Sequence, residues 1–178
     1  MSALNLTSPG ALTRPADASD ATLVHRLYEK TPSYFDVISI PIPTLAEVKT
    51  DLDTATRDAR RHTELVLLPP RQRAPHDEAL EDPVSGRQVV GYLDYKLDYP
   101  DAGDATVNLL LVEGDLQGRG IGSRCVRDLE VRLRGRVRRV LASIYGQNPR
   151  ARRFWEGLGY AFAIDAKPIL DWYAKELA

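Results

Sequence analysis

The chain is organised around residues 109–123, which read LLLVEGDLQGRGIGS. The segment opens with four aliphatic residues and no polar break, a pattern that predicts a strand buried on both faces. A turn with glycines at 114, 118, 120 and 122 follows, and glycine lets a backbone adopt positive φ and pass close to a ligand. Apolar residues then recur at every fourth position and predict one face of a helix: Ile121, Cys125, Leu129 and Leu133. Free N–H groups at the start of such a helix form an anion site, so the segment predicts a phosphate-bearing ligand.

The spacing of these glycines does not match two well-known phosphate-binding motifs. A P-loop requires a lysine followed by Ser or Thr, and residues 109–123 contain no lysine. A dinucleotide fingerprint requires Gly-x-Gly-x-x-Gly, whereas this chain has Gly118-x-Gly120-x-Gly122, late in the sequence. A glycine-rich turn that binds no ligand is an alternative, since short glycine motifs often match by chance.

A second informative segment, residues 148–160, reads NPRARRFWEGLGY and follows an apolar run at 140–144. Asn148 suits a helix N-cap and Pro149 suits the first helical position. Apolar residues at 151, 154, 155 and 158 share one helical face, and Gly159 suits the position just after the helix. The segment therefore predicts a second helix, about 30 residues after the first.

Together, the two segments resemble the GNAT acetyltransferase superfamily. The spacing Gln117-x-x-Gly120-x-Gly122 is similar to the coenzyme A loop of that family, and residues 148–160 are similar to its second motif. The resemblance is strong over residues 105–160 and mostly topological before them. It implies acetyl-CoA as co-substrate. It also implies the residues that hold the coenzyme: Leu110, Leu111, Val112, Gln117, Gly118, Arg119, Gly120, Ile121, Gly122, Ser123, Asn148, Phe154 and Trp155. No metal is expected, because His25, His62 and His76 lack a metal-binding spacing and the chain has one cysteine.

Length and composition are those of one soluble domain. The 178 residues suffice for a single core, so residues 1–178 are interpreted as one domain, with a loose terminus at 1–10 and a long variable loop at 69–87. Residues 1–14 lack the features of a signal peptide, no apolar run approaches a membrane span, and the single cysteine allows no intrachain disulfide. A cytoplasmic protein is expected.

The charge pattern does not point to a polyanionic partner. The net charge is −1, although residues 119–153 contain eleven arginines against two acidic residues. These arginines are interpreted as solvated faces or as a rim for coenzyme phosphates. A nucleic-acid-binding domain is a third hypothesis, but no recognition motif supports it, so neither nucleic acid nor membrane is expected as a partner.

The remaining pattern predicts an α/β (α+β) fold with a mixed central sheet of six to seven strands and helices on both faces. Its order is a strand, two helices, three strands, a helix, a strand, a helix and final strands. Ser19 is predicted to cap the first helix, residues 31–35 are predicted to form a loop, and Thr44 with Glu47 forms a capping box for the next helix.

The resemblance implies direct transfer of an acetyl group from acetyl-CoA to a primary amine of a small molecule or protein. The amine must lose its proton before it attacks, and a backbone N–H of the Leu111–Val112 region would stabilise the oxyanion. The family often uses a tyrosine in its second motif to reprotonate the thiolate, but Trp155 stands there in this chain. A non-catalytic acyl-CoA-binding or sensing module of the same fold is therefore the alternative.

Two residues are candidates for acid–base chemistry. Tyr145 ends the strand before Asn148 and is a candidate for the missing acid. The alternative is an aromatic residue at a strand end with no catalytic role. Glu113 ends the central strand and is a candidate base acting through water, with a solvated strand-end charge as the alternative.

Three residues are candidates for binding the acceptor. Asp94 is predicted either to contact a cationic amine or to pair with Lys96. Asn108 either orients the acceptor or is a satisfied buried amide. Tyr34 is predicted to line the acceptor pocket. The sequence does not identify the acceptor, and it leaves the oligomeric state open, although family members often form homodimers through their terminal strands.

Overall fold

The computed structural model describes residues 12–70, 79–167 and 170–177. Its centre is one mixed sheet of eight strands. The strands are β1 Thr13–Pro15, β2 Arg61–Leu68, β3 Leu80–Glu81, β4 Gln88–Leu97, β5 Asp104–Val112, β6 Arg139–Tyr145, β7 Ala161–Lys167 and β8 Leu170–Glu176. They lie in the order β1-β2-β4-β5-β6-β8-β7, and β3 pairs with β4 beside this path. Only β5 and β6 pair in parallel among the strands described; the other pairings are antiparallel.

Helices cover both faces of this sheet. They are α1 Ala21–Glu29, α2 Pro32–Ile38, α3 Leu45–Arg57, α4 Ile121–Leu133 and α5 Pro149–Gly157. Buried residues of α4 and α5 share one hydrophobic cluster with one side of the sheet, and those of α1, α2 and α3 share a second cluster with the other side. The predicted fold class is therefore confirmed. Among the described helices, none has the length and apolar character needed to cross a membrane.

Three local predictions differ from the structure. Residues 31–35 were expected to be a loop, but Pro32 is the first residue of α2, a position where its missing N–H costs nothing. The start of the first helical segment is capped by Asp17 rather than by Ser19, whose N–H donates to the Asp17 side chain. The sheet has one strand more than predicted because β3 lies within the expected 69–87 loop. Residues 1–10 and 71–78 lie outside the described residues.

Other local predictions are confirmed. Thr44 and Glu47 form the capping box of α3, with the Glu47 N–H donating to Thr44 Oγ1 at 3.3 Å and the Thr44 N–H donating to Glu47 Oε2 at 2.7 Å. Asn148 caps α5 through a 3.0 Å bond from the Ala151 N–H to its Oδ1. Both helix starts could be predicted because a cap uses residues three apart in sequence.

The feature that positions the site is a split between β5 and β6. The two strands pair only from Asp104 to Val107, opposite Arg139 to Ala142. On its other side, β5 pairs with β4 as far as Val112. The second half of β5 therefore presents an open edge toward β6, in the middle of the sheet.

Candidate active site

A cleft of about 590 Å³ occupies the split between β5 and β6. Its walls come from the open half of β5, the glycine loop and start of α4, the end of β6, the start of α5, and α2. A volume of this size is typical of small-molecule sites. Its lining residues come from elements on both faces of the sheet, α4 and α5 on one side and α2 on the other.

Most of the residues singled out in the sequence meet at this cleft. Those that line it are Tyr34, Asn108, Leu110, Leu111, Val112, Gln117, Gly118, Gly120, Ile121, Gly122, Ser123, Tyr145, Asn148, Phe154 and Trp155. Arg119, Asp94 and Glu113 are not among its lining residues. The sequence reasoning missed several lining residues of α2, β6 and α5: Ser33, Val37, Ser143 and Arg150. Ser33 and Val37 are four residues apart and so share one face of α2. This helical spacing could have indicated them, but residues 31–35 were predicted to form a loop.

The glycine loop presents backbone N–H groups to the cleft. Gly118 and Gly120 adopt φ of 75° and 77°, the left-handed region that side chains disfavour. The helical hydrogen bonds of α4 begin with Arg124 N–H to Gly120 O, so the N–H groups just before it have no partner within the helix. An added Cβ at Gly118 or Gly120 would meet nothing within 4 Å, so backbone conformation rather than crowding requires glycine there. This geometry suits an anion.

Gln117 connects the loop to the central strand. Its Nε2 donates to the carbonyl oxygen of Val112 at 2.8 Å. The side chain of Gln117 thus satisfies a backbone group at the open edge of β5 and holds the loop beside that edge.

The hydrogen-bond alternation of β5 identifies which amides face the cleft. The Glu113 N–H donates to the Val90 oxygen on β4 at 2.8 Å. In an antiparallel pair, alternate residues direct their N–H and C=O groups to the same neighbour. Leu110 and Val112 therefore direct theirs away from β4, toward the cleft, which agrees with the bond from Gln117 to Val112 O. Within the predicted Leu111–Val112 region, the amide of Val112 is exposed to the cleft and that of Leu111 is not.

The aromatic pair of α5 divides between the cleft and the core. A Cβ added to Gly122 would lie 3.4 Å from the Phe154 ring, so the ring lies close to the first turn of α4. Trp155 is only 5% exposed and packs edge-on against Tyr160, with ring centroids 4.8 Å apart. The indole therefore belongs mainly to the core and touches the cleft at its edge.

Two tyrosines lie on the α1–α3 side of the cleft. Ile144 packs in the α4–α5 core, so its neighbour Tyr145 points to the opposite face and is 40% exposed. Tyr34 of α2 also lines the cleft, and burial raises the pKa of its hydroxyl to about 12. Gly146 allows α2 to lie close to the end of β6, because a Cβ there would be 2.9 Å from Val37 O.

The two carboxylates proposed from the sequence form ion pairs outside the cleft lining. Asp94 Oδ2 lies 2.5 Å from Arg61 Nη2, so its predicted alternative pairing with Lys96 is wrong; Lys96 pairs with Asp58 at 2.7 Å. Glu113 is 8% exposed and pairs with Lys30 at 2.7 Å. The structure thus does not bring Glu113 to the cleft.

Several arginines of the basic segment have structural partners. Arg132 binds Glu64 with two hydrogen bonds of 2.8 and 2.9 Å, and Arg138 and Arg139 both bind the buried Asp104. Arg150, by contrast, lines the cleft. The arginine-rich composition therefore reflects in part the internal pairing of buried carboxylates.

Comparison with known proteins identifies a common architecture. The model of the acetyltransferase (GNAT) family matches residues 45–160. An acetyltransferase from Thermus thermophilus shares 39% identity, with 93% of this chain and 96% of that chain covered and a TM-score of 0.80. No curated protein gives a significant match.

More distant solved structures share the fold. Aminoglycoside acetyltransferase AAC(6')-Ib in complex with coenzyme A is 16% identical, with 92% and 93% of the two chains covered and a TM-score of 0.69. The Salmonella typhimurium acetyl transferase that modifies the N-terminal serine of ribosomal protein L7/L12 is 14% identical, with 93% and 94% covered and a TM-score of 0.71.

Proposed function

This chain belongs to the acetyltransferase (GNAT) family, and we propose that it transfers an acetyl group from acetyl-CoA to a primary amine of a small molecule or protein by direct transfer. The observation that carries the proposal is the cleft at the β5–β6 split. It is lined by the start of α4, whose free N–H groups suit an anion, on one face of the sheet, and by Tyr34 of α2 and Tyr145 on the other. A donor and an acceptor approaching from opposite faces would meet at the open edge of β5.

The residues of the cleft fit coenzyme A. The N–H groups from Gly118 to Ser123 would hold the pyrophosphate. The Leu110 carbonyl and one of the two cleft-facing N–H groups, those of Leu110 and Val112, would bond the pantetheine as an added strand. The Val112 carbonyl already accepts from Gln117.

The same residues support the chemistry of transfer. The amine nitrogen forms a bond to the acetyl carbon, the carbon–sulfur bond breaks, the nitrogen loses a proton and the sulfur gains one. The N–H of Leu110 or Val112 would donate to the carbonyl oxygen as negative charge develops on it. The Tyr145 hydroxyl would supply the proton to sulfur and recover one from solvent, to which this residue is 40% exposed. Glu113 has no part in this scheme because it pairs with Lys30.

Trp155 is the observation that favours a second candidate, a non-catalytic acyl-CoA-binding or sensing module. An indole cannot act as the acid that a tyrosine provides, and here it is packed against Tyr160. The two candidates share the coenzyme site and differ only in turnover.

A turnover assay separates the candidates. The purified protein is incubated with acetyl-CoA and a panel of peptides, aliphatic amines and aminoglycosides, and both free thiol and acetylated product are measured. Product formation with at least one amine supports the transferase. Stabilisation by acetyl-CoA without transfer to any amine would favour the binding module, and the absence of coenzyme binding would exclude both.

A further inference from the structure

Helix α2 lies across the carboxyl ends of the two strands that separate at the cleft. At its start, Lys30 lies beside the residues that follow β5, and at its end Val37 lies beside the residue that follows β6. A Cβ added to Gly114 would lie 3.1 Å from the Lys30 carbonyl oxygen, and one added to Gly146 would lie 2.9 Å from that of Val37. The helix therefore contacts both strand ends, beyond the last residues at which β5 and β6 pair with each other.

An ion pair fixes the contact at the β5 end. Lys30 Nζ donates to Glu113 Oε1 at 2.7 Å, and the two side chains are only 25% and 10% exposed. A partly buried pair is screened by solvent much less than a surface pair. Glu113 directly follows β5 and Lys30 is two residues before α2, so the pair ties the start of the helix to the end of the strand.

Packing against α1 holds α2 in place. The buried Phe35 ring contacts the rings of Tyr28 and Tyr34, with centroids 5.1 and 5.2 Å away. The Thr31 hydroxyl donates to the carbonyl oxygen of Leu27, which joins the end of α1 to the start of α2. Because a close-packed core resists displacement of one of its members, α2 is a fixed element between the two strands.

The length of this helix matches the width of a gap for one strand. The segment from Pro32 to Val37 rises about 7.5 Å in a helix, and the turn from Lys30 adds roughly 2–3 Å, so the two contacts are about 10 Å apart. Neighbouring strands lie about 4.8 Å apart, so two strands with room for one more between them lie about 9.6 Å apart. The distance between the contacts thus corresponds to one absent strand.

Granted the coenzyme site proposed above, we propose that α2 is a brace that sets the width of the β5–β6 split for one extended pantetheine chain. A narrower split would exclude the chain, and a wider one would leave one side of it without packing contacts. The positioning residues of this brace are Lys30, Glu113, Gly114 and Gly146, and the described lining of the cleft contains none of them. They act through α2 and take no part in the proton transfers.

Gly146 and Gly159 offer a matched pair of substitutions. Both have positive φ, 63° and 87°, a region that asparagine tolerates better than other side chains do. A new Cβ at 146 would collide with the Val37 carbonyl oxygen, whereas one at 159 would meet nothing within 4 Å. Gly146→Asn and Gly159→Asn therefore carry similar backbone strain, and only the first displaces α2.

The two halves of coenzyme A provide a readout that a merely structural effect would not change. Phosphoadenosine diphosphate keeps the pyrophosphate and lacks the pantetheine, so it would use the start of α4, on the other face of the sheet from α2. In calorimetric titrations, we expect Gly146→Asn to lower the affinity for coenzyme A at least about fivefold, the equivalent of one lost hydrogen bond, and that for phosphoadenosine diphosphate less than about twofold. Gly159→Asn should change neither affinity.

The outcomes separate the brace from the proposed function. An equal loss of affinity for the two ligands in Gly146→Asn, or no loss for either, would overturn the brace alone. Failure of either ligand to bind the unsubstituted protein would overturn the proposed coenzyme site and the brace with it.

Removal of the ion pair provides a second arm that does not depend on whether Gly146→Asn folds. Lys30→Met combined with Glu113→Leu removes both charges, so no buried charge is left alone. This double variant should also lose affinity for coenzyme A but not for phosphoadenosine diphosphate, whereas Lys30→Arg, which keeps the charge, should retain most of both. Unchanged affinity for coenzyme A in the double variant would contradict the role of the pair.

Discussion

Gln117 Nε2 donates a hydrogen bond of 2.8 Å to the carbonyl oxygen of Val112 and so joins the glycine loop to the open edge of β5. The backbone amides of the glycine loop, which we propose to bind the coenzyme phosphates, and the strand edge that faces the cleft are thereby held in one geometry. Gln117 is half-buried and lines the cleft, so removal of this bond directly tests how the loop is positioned.

Replacement of Gln117 should weaken coenzyme binding in a graded way. Gln117→Ala removes a hydrogen bond worth about 1 kcal/mol, and a several-fold rise in the acetyl-CoA dissociation constant is expected. Gln117→Glu has the same shape but places a carboxylate beside the Val112 oxygen, so it should be the more damaging change. Calorimetric titration measures both values; an equal affinity for the two variants and the unsubstituted protein would refute the positioning role.

Gly120 and Gly135 form a matched pair of positions. Both have positive φ, 77° and 73°, and an added Cβ would meet nothing within 4 Å at either. Alanine costs about 1–2 kcal/mol of backbone strain at each, so both variants should lose similar stability. Only Gly120→Ala should also lower acetyl-CoA affinity, by about tenfold or more, because Gly120 precedes the first turn of α4 and Gly135 follows its end. Equal acetyl-CoA affinities in the two variants would contradict the proposal that the glycine loop binds the coenzyme.

Tyr145→Phe tests the proposed acid. The variant keeps the ring and loses the hydroxyl, so transfer should slow by about 100-fold, at the low end of general acid–base contributions. Thermal stabilisation by coenzyme A should not change, because the coenzyme is expected to bind through the opposite face of the sheet. Turnover equal to that of the unsubstituted protein would exclude Tyr145 as the acid.

The Asp104 ion pairs make a pH-dependent contribution to stability. Asp104 is fully buried, and although burial opposes its ionisation, hydrogen bonds from Arg139 and Arg138 hold its pKa below the usual value. A lowered folded-state pKa stabilises the fold above the unfolded value, near 3.9, and this contribution is lost as the pH falls through the folded pKa. Asp104→Asn should therefore reduce the free energy of unfolding by about 1.5–3 kcal/mol at pH 7, and by less below about pH 4.

Asp101→Asn is the control for this comparison. The Asp101 side chain is 67% exposed and lies 3.7 and 3.9 Å from Arg138 and Arg139, so its loss should cost less than about 1 kcal/mol. Urea unfolding at pH 7 and pH 3 measures both variants. If the difference in free energy of unfolding between Asp104→Asn and the unsubstituted protein is as large at pH 3 as at pH 7, the proposed contribution of ionised Asp104 is contradicted.

The elements around the site could be predicted where the signal is local. The starts of α4 and α5 depend on glycine spacing, a cap and a proline at the first helical position, all within a few residues. Helix α2 was missed because Pro32 and two aromatics were interpreted as a loop, although proline favours a helix start.

The parts of the site that depend on distant residues could not be predicted. Whether Asp94 pairs with Lys96 or with Arg61 depends on the register of β2 against β4, and the bulge at Asn108 depends on the register of β4 against β5. The partner of Glu113 is Lys30, 83 residues earlier. A sequence pattern describes faces and spacings, whereas these contacts follow from strand pairing.

Thermal melting with acetyl-CoA, coenzyme A, ATP and NAD in parallel tests the central claim most directly. At 100 times its dissociation constant, a ligand stabilises the fold by about 2.7 kcal/mol, or roughly 5–10 °C for a domain of this size. We predict that shift for acetyl-CoA and coenzyme A and a much smaller one for each in Gly120→Ala. No shift with the two coenzyme A ligands, or a comparable shift with NAD or ATP, would contradict the assignment of the cleft as a coenzyme A site.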